Sequence, residues 1–182
     1  HIKILTDCLE HHAVLPPEKT ALVFQDKSYT YLQLKHQVER LAQLLKQHNL
    51  GKNQTIGLLV PNSDGAMISL FAVFRIGACA VGLNPLLHPK EVVALSKSLD
   101  LSGLFVTRRQ YDLLLSESLE QHVSTLRKIV IVSEEAFSVQ EIEIKDARPQ
   151  VEGLQNRLSG DDNALIIYTS GTTGSAKGVV LT

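Results

Sequence analysis

Tyr168-Thr-Ser-Gly-Thr-Thr-Gly-Ser-Ala-Lys177-Gly-Val-Val-Leu-Thr182 sets glycines, hydroxyls and one lysine between two apolar runs. That mixture suits a phosphate. Gly171, Gly174 and Gly178 permit positive φ and let backbone N–H groups approach a ligand closely. Thr169, Ser170, Thr172, Thr173 and Ser175 add hydroxyl groups, and Lys177 adds a mobile point charge. Composition alone would also describe a turn between two strands, so the order of the residues has to decide. A Walker A loop needs four residues between its first Gly and a Gly-Lys pair followed by Ser or Thr, with a helix opening at the Lys. Here Gly178 follows Lys177, and Val179-Val180-Leu181 reads as a strand. A dinucleotide fingerprint fails as well, because Gly-x-Gly-x-x-Gly is absent and no helix follows.

Over its whole length the stretch resembles the phosphate-loop signature of the adenylate-forming superfamily: acyl-CoA synthetases, luciferases and the adenylation domains of peptide synthetases. The signature, aromatic-Thr-Ser-Gly-Thr-Thr-Gly-x-Pro-Lys-Gly-Val, is met from Tyr168 to Gly174 and from Lys177 to Val179. Ala176 stands where Pro is usual, which removes stiffness before Lys177 but no contact group. The resemblance extends to Thr30-Tyr31-Leu32-Gln33-Leu34, Val60-Pro61-Asn62-Ser63, Phe71 to Ala78, and Leu83-Asn84-Pro85. It thus covers almost the whole chain, and Leu-Asn-Pro is closer to acyl-CoA synthetases than to peptide-synthetase domains.

Upstream, apolar strands alternate with helices. Ala164–Ile167 reads as a buried strand that delivers the glycine-rich loop at its carboxyl end, where open α/β sheets bind ligands. Thr55–Val60, Cys79–Val81, Gly103–Val106 and Lys128–Val132 are further short apolar runs of the kind expected of covered parallel strands. Between them lie helices from Ser63 to about Gly77, from Pro89 to about Leu99, and from Arg108 to about Leu126. Nearer the start, Ile4–Ala13 forms a helix, and Ala21–Phe24 with Ser28–Thr30 forms a hairpin. Thr30 and Gln33 make a capping box for a helix over 31–48 that ends near Asn49-Leu50-Gly51. Leu34, Val38, Leu41 and Leu45 line its inner face. Glu141–Ile144 alternates like an edge strand. The predicted class is α/β: a mainly parallel sheet flanked by helices.

A chain of 182 residues fits one domain on the prior of about 100–200 residues each. A net charge of −1 with scattered Lys and Arg gives no footprint for nucleic acid or an anionic membrane. The longest apolar stretch, Met67–Leu83, contains Arg75 and falls short of the roughly 20 residues that span a bilayer. Cys8 and Cys79 are too few and too far apart for a disulfide framework, so a reduced, cytoplasmic protein is expected. Cys79 reads as core. His11-His12 lack a third ligand nearby, Arg108-Arg109 read as solvated, and Asp161-Asp162 suit a turn before a strand. No metal ligand is assigned, and no Ser-His-Asp or Cys-His arrangement is visible.

The resemblance implies a ligase that activates a carboxylic acid with ATP. The acid attacks the α-phosphate of MgATP, pyrophosphate leaves, and the bound acyl-adenylate passes to a thiol. In an acyl-CoA synthetase of fatty acid metabolism that thiol is coenzyme A. On this reading Thr169, Ser170, Gly171, Thr172, Thr173, Gly174, Ser175, Lys177 and Gly178 bind the nucleotide, and Tyr168 packs at the strand end. Residues 1–182 are then the N-terminal α/β subdomain of an incomplete AMP-binding domain. The groups for adenine, ribose, Mg²⁺ and acid, and a C-terminal domain bearing the catalytic Lys, lie in further chain. No catalytic residue is therefore assigned within 1–182, and alone the segment is expected to be inactive. The alternatives are an acyl-AMP ligase that loads a carrier protein, a different nucleotide-binding protein such as a P-loop NTPase, and a binding module whose loop is only structural.

Overall fold

Among the described residues nine strands and five helices follow in the order α1 (Leu5–His12), β1 (Thr20–Phe24), β2 (Lys27–Thr30), α2 (Tyr31–Gln47), β3 (Thr55–Leu59), α3 (Asp64–Arg75), β4 (Cys79–Gly82), α4 (Pro89–Ser98), β5 (Leu101–Val106), α5 (Arg108–Ser116), β6 (Lys128–Val132), β7 (Val139–Glu143), β8 (Leu165–Thr169) and β9 (Lys177–Leu181). The computed structural model describes residues 5–14, 16, 18–117, 123, 126, 128–132, 139–143, 162–169 and 177–181. β1 and β2 form a separate antiparallel ribbon. The other seven strands form one sheet in the order β7-β6-β5-β3-β4-β8-β9. β6, β5, β3, β4 and β8 run parallel, while β7 and β9 close the two edges antiparallel.

The sheet grows outward from β3 in both directions, β4 joining one side and β5 the other. Successive residues of each strand point to opposite faces, so every strand feeds two cores. On one face Ile56, Leu58, Ala80, Phe105 and Val130 pack under α2 and α3. On the other, Val81, Leu104, Val106, Ile129 and Ile131 pack under α4 and α5. Strands covered twice must be apolar throughout, which accounts for the uninterrupted runs in the sequence. Gly57 lies between Leu101 and Leu104 of β5: a Cβ there would stand 2.8 and 2.7 Å from their Cδ1 atoms. It keeps the central strand thin enough for its neighbours to close over it.

The helix ends follow local chemistry. Thr30 Oγ1 accepts from Gln33 N at 3.2 Å while Gln33 Oε1 accepts from Thr30 N at 2.9 Å, the expected capping box. Where the sequence offers Asn49-Leu50-Gly51 as the stop, α2 ends at Gln47 and Asn49 takes the left-handed turn, φ 56. Asn tolerates that region through its short polar side chain. Gly77, φ 79, does the same after α3 and lets Ala78 N donate to Val73 O at 3.2 Å.

Three expectations need correction. The helix expected to reach Leu126 stops at Ser116, whose Oγ donates to Leu113 O at 2.6 Å and satisfies a terminal carbonyl. Val123 and Leu126 are buried outside it, with Leu126 N donating to Val123 O at 3.1 Å. β8 is not a buried strand either. Leu165 and Ile166 are half-buried, one against each core, and Ile167 is 43% exposed where the cover thins toward the carboxyl end. Finally, β5 begins at Leu101, two residues before the expected start. The edge strand expected at Glu141–Ile144 is β7, paired antiparallel with β6.

Candidate functional site

β3, β4, β5, β6 and β8 all end at the same edge of the sheet, and β9 starts there. Open α/β sheets carry ligands at that edge. β8 and β9 are paired to the very mouth of their connection: Ile167 lies opposite Val179, Tyr168 opposite Gly178, and Thr169 opposite Lys177. Of the nine residues expected to bind a nucleotide, the structure therefore brings Thr169, Lys177 and Gly178 together at the neck of the loop. Ser170, Gly171, Thr172, Thr173, Gly174 and Ser175 lie outside the described residues, as do the side chains of Tyr168, Thr169 and Lys177. Lys177 opens a strand, not a helix. A Walker A lysine opens a helix, so the P-loop alternative fails on backbone geometry.

The same edge holds the N-termini of α3, α4 and α5, each a possible anion site through its unsatisfied N–H groups. At each of them a cap side chain takes one of those donors. Ser63 Oγ accepts from Ala66 N at 3.0 Å. His88 Nδ1 accepts from Lys90 N at 3.3 Å, with Glu91 Oε2 accepting from His88 N at 2.9 Å. Thr107 Oγ1 accepts from Gln110 N at 3.3 Å, with Gln110 Oε1 returning the bond at 2.9 Å. Gln110 also donates to Pro85 O at 3.2 Å, fixing the β4–α4 turn against α5.

A polar cluster that sequence reasoning missed lies at the β3–α3 junction. Tyr29 Oη donates to Asp64 Oδ2 at 2.6 Å, Lys27 Nζ lies 3.6 Å from the same oxygen, and Gly65 N donates to Asp64 Oδ1 at 2.9 Å. Tyr29 and Asp64 are 35 residues apart, so no local pattern signals the pair. Burial, then the hydrogen bond to Asp64 and its negative charge, push the Tyr29 hydroxyl up from 10.0 to about 12. A raised folded-state value favours the protonated phenol. Its stabilisation is complete below pH 10 and is lost as pH rises toward 12. In an absorbance titration Tyr29→Phe should remove a phenol step near pH 12 and flatten alkaline destabilisation between pH 10 and 12. Loss of a step near pH 10 instead would refute the assignment.

The remaining candidates have structural roles. His11 and His12 rings pack edge to face at 5.3 Å, and His12 lies 4.9 Å from the Tyr31 ring. Burial raises the Cys79 thiol, which disfavours the thiolate a nucleophile needs. Arg108 and Arg109 are exposed in the first turn of α5, Arg108 lying over the Tyr111 ring at 5.6 Å. Asp162 pairs with Lys52 at 2.9 Å just before β8. Among the described residues no three His, Cys, Asp or Glu gather as a metal site. No described helix is long and apolar enough to cross a membrane.

A doubly covered, mostly parallel sheet with a Gly/Ser/Thr-rich connection at its carboxyl edge makes this an α/β protein, the class that the signature resemblance implies. The chain belongs to the AMP-binding enzyme family, which it matches over residues 9–182. It is 30% identical over 180 residues to the 3-oxocholest-4-en-26-oate–CoA ligase of Rhodococcus rhodochrous, covering 97% of this chain and 32% of that protein. It is 32% identical over 178 residues to the dimodular nonribosomal peptide synthase of Bacillus subtilis (strain 168), covering 98% of this chain and 7% of that protein. Among solved structures it resembles an anthranilate CoA ligase in complex with anthranoyl-AMP, with a TM-score of 0.75 and 28% identity, covering 96% of this chain and 34% of the other. The chain thus spans a third or less of the length of these relatives.

Proposed function

We propose that this chain supplies the phosphate-binding part of an ATP-dependent ligase that activates a carboxylic acid as its acyl-adenylate. Residues 1–182 would form the N-terminal α/β subdomain of its AMP-binding domain. The observation that carries this reading is the pairing of Thr169 with Lys177, which holds the glycine-rich connection at the carboxyl edge as strand–loop–strand. Backbone N–H groups from Gly171 to Gly174 and the hydroxyls of Thr172 and Thr173 would hold the β- and γ-phosphates. Ser170, Ser175 and Gly178 would complete the wall of the loop. Lys177 would neutralise the pyrophosphate as it leaves. Preorganised donors of this kind stabilise developing charge without reorganising at the moment of reaction. The reaction takes Mg²⁺ with the ATP; among the described residues no three His, Cys, Asp or Glu gather to hold it.

For the acceptor we favour coenzyme A over a carrier protein. CoA ligases recur among the relatives and solved structures, and Leu83-Asn84-Pro85 follows the acyl-CoA synthetase pattern. Carrier-protein loading is the second reading, because peptide synthases are matched at comparable identity. A cytoplasmic location, with ATP and coenzyme A at hand, goes with the first. The test is isotope exchange between pyrophosphate and ATP by the intact enzyme. Exchange should require the carboxylic acid, and adding coenzyme A should yield the thioester. ATP cleaved to ADP and phosphate, with no adenylate trapped, would replace this reading with an NTPase.

A further inference from the structure

We infer that the β1–β2 hairpin is a separately opening unit, held on the β3–α3 junction by the buried carboxylate of Asp64. The inference is independent of the reaction proposed above. Three observations carry it. The hairpin is a two-stranded sheet of its own, with no ladder to the main sheet. Such a ribbon has marginal stability unless something else holds it. Its apolar contribution is also thin: Ala21, Leu22 and Tyr29 are only partly buried against the core, while Val23 is exposed. A further tie that the hairpin makes is polar and distant in sequence. Asp64 is 1% exposed, receives the Tyr29 hydroxyl at 2.6 Å, and faces the Lys27 ammonium at 3.6 Å.

The carboxylate is anchored on the α3 side by Gly65 N, in a first turn already capped by Ser63. It therefore belongs to α3, which packs on the main sheet, and on opening Tyr29 and Lys27 are the groups that leave it. Lys27 is 29% exposed, so water reaches the latch from its side. Opening would leave Asp64 facing solvent at the carboxyl edge. The main sheet, whose strands share no hydrogen-bonded ladder with the hairpin, would stay paired. Local openings of this kind occur well below the cost of global unfolding. A buried charge stripped of one partner is strongly destabilised, which makes the latch sensitive to a single change of charge.

Hydrogen exchange read by mass spectrometry on peptides covering 19–30, 55–59 and 101–106 tests this. In the unaltered protein the hairpin amides should exchange at least 10-fold faster than those of β3 and β5. Asp64→Asn, which keeps the shape and removes the charge, should speed the hairpin a further 10-fold or more and leave β3 and β5 within 3-fold. Lys27→Gln should give a smaller increase in the same peptides. The double variant should add less to Asp64→Asn than Lys27→Gln adds to the unaltered protein, since the two residues share a contact. Should Asp64→Asn fail to fold, Lys27→Gln and Tyr29→Phe, both made on the hairpin itself, give the same regional comparison. Acceleration spread evenly over 19–30, 55–59 and 101–106, or none within 19–30, overturns the latch.

Discussion

Lys177→Ala in the intact enzyme should lower kcat by about 10²–10³-fold, the usual cost of removing one preorganised donor to a developing charge. The KM for ATP should change much less. Two features give this expectation its direction. Lys177 is the first residue of β9 and lies opposite Thr169, so its backbone is fixed at the mouth of the loop. A lysine ammonium on a flexible stem can then follow a phosphate as it leaves. Contact made with departing pyrophosphate stabilises the transition state more than the bound substrate, which is a loss in kcat when removed. Steady-state pyrophosphate exchange at varied ATP separates the two parameters. A change confined to KM would show that Lys177 grips ATP and its transition state equally.

Phe105→Ala should lower stability by about 3–5 kcal/mol, the range for deleting a fully buried aromatic ring. Phe105 is 0% exposed and lies on β5, between Leu58 of β3 and Val130 of β6. Its ring fills the core under α2 and α3, where no exposed end allows the neighbours to collapse into the gap. Against a total stability of about 5–15 kcal/mol, that loss leaves the protein marginal. For a domain of this size the melting temperature should drop by roughly 6–20 °C. The control is Leu86→Ala. That leucine is 90% exposed, and its removal should leave the melting curve in place. Equal drops for both variants would mean that the sheet is not packed as described.

The features that sequence made legible are those encoded within a few residues. Thr30 and Gln33 mark the start of α2, Ser63 and Pro89 the starts of α3 and α4, and the apolar runs at 55–59 and 128–132 the covered strands. What was not legible depends on residues far apart. Nothing in Ala80-Val81-Gly82 announces that it pairs with Leu165-Ile166-Ile167, and nothing near Asp64 points to Tyr29. The end of α5 escaped because Val123 and Leu126 imitate a helical face while packing in a turn. The partial exposure of β8 escaped because an apolar run looks the same whether its covers are complete or partial. For the candidate site, the order of glycines, hydroxyls and lysine carried the phosphate expectation, and the apolar run before it placed the stretch at a strand's carboxyl end. Which strands flank it needed the pairing of β8 with β4 and β9.

The order of strands also sets an order of assembly. β3, β4 and β5 lie within residues 55–106 and pair with one another, so they can close as a nucleus through short crossovers. β8 joins that nucleus only through Ala80–Leu165 and the two pairs beside it, a closure spanning nearly half the chain. Distant pairings form late, because the entropy of closing the intervening chain precedes any reward in contacts. The strand that carries the glycine-rich loop is therefore expected to be the last parallel strand seated. Variants of β8 should chiefly quicken unfolding, whereas variants of β3 and β5 should slow folding.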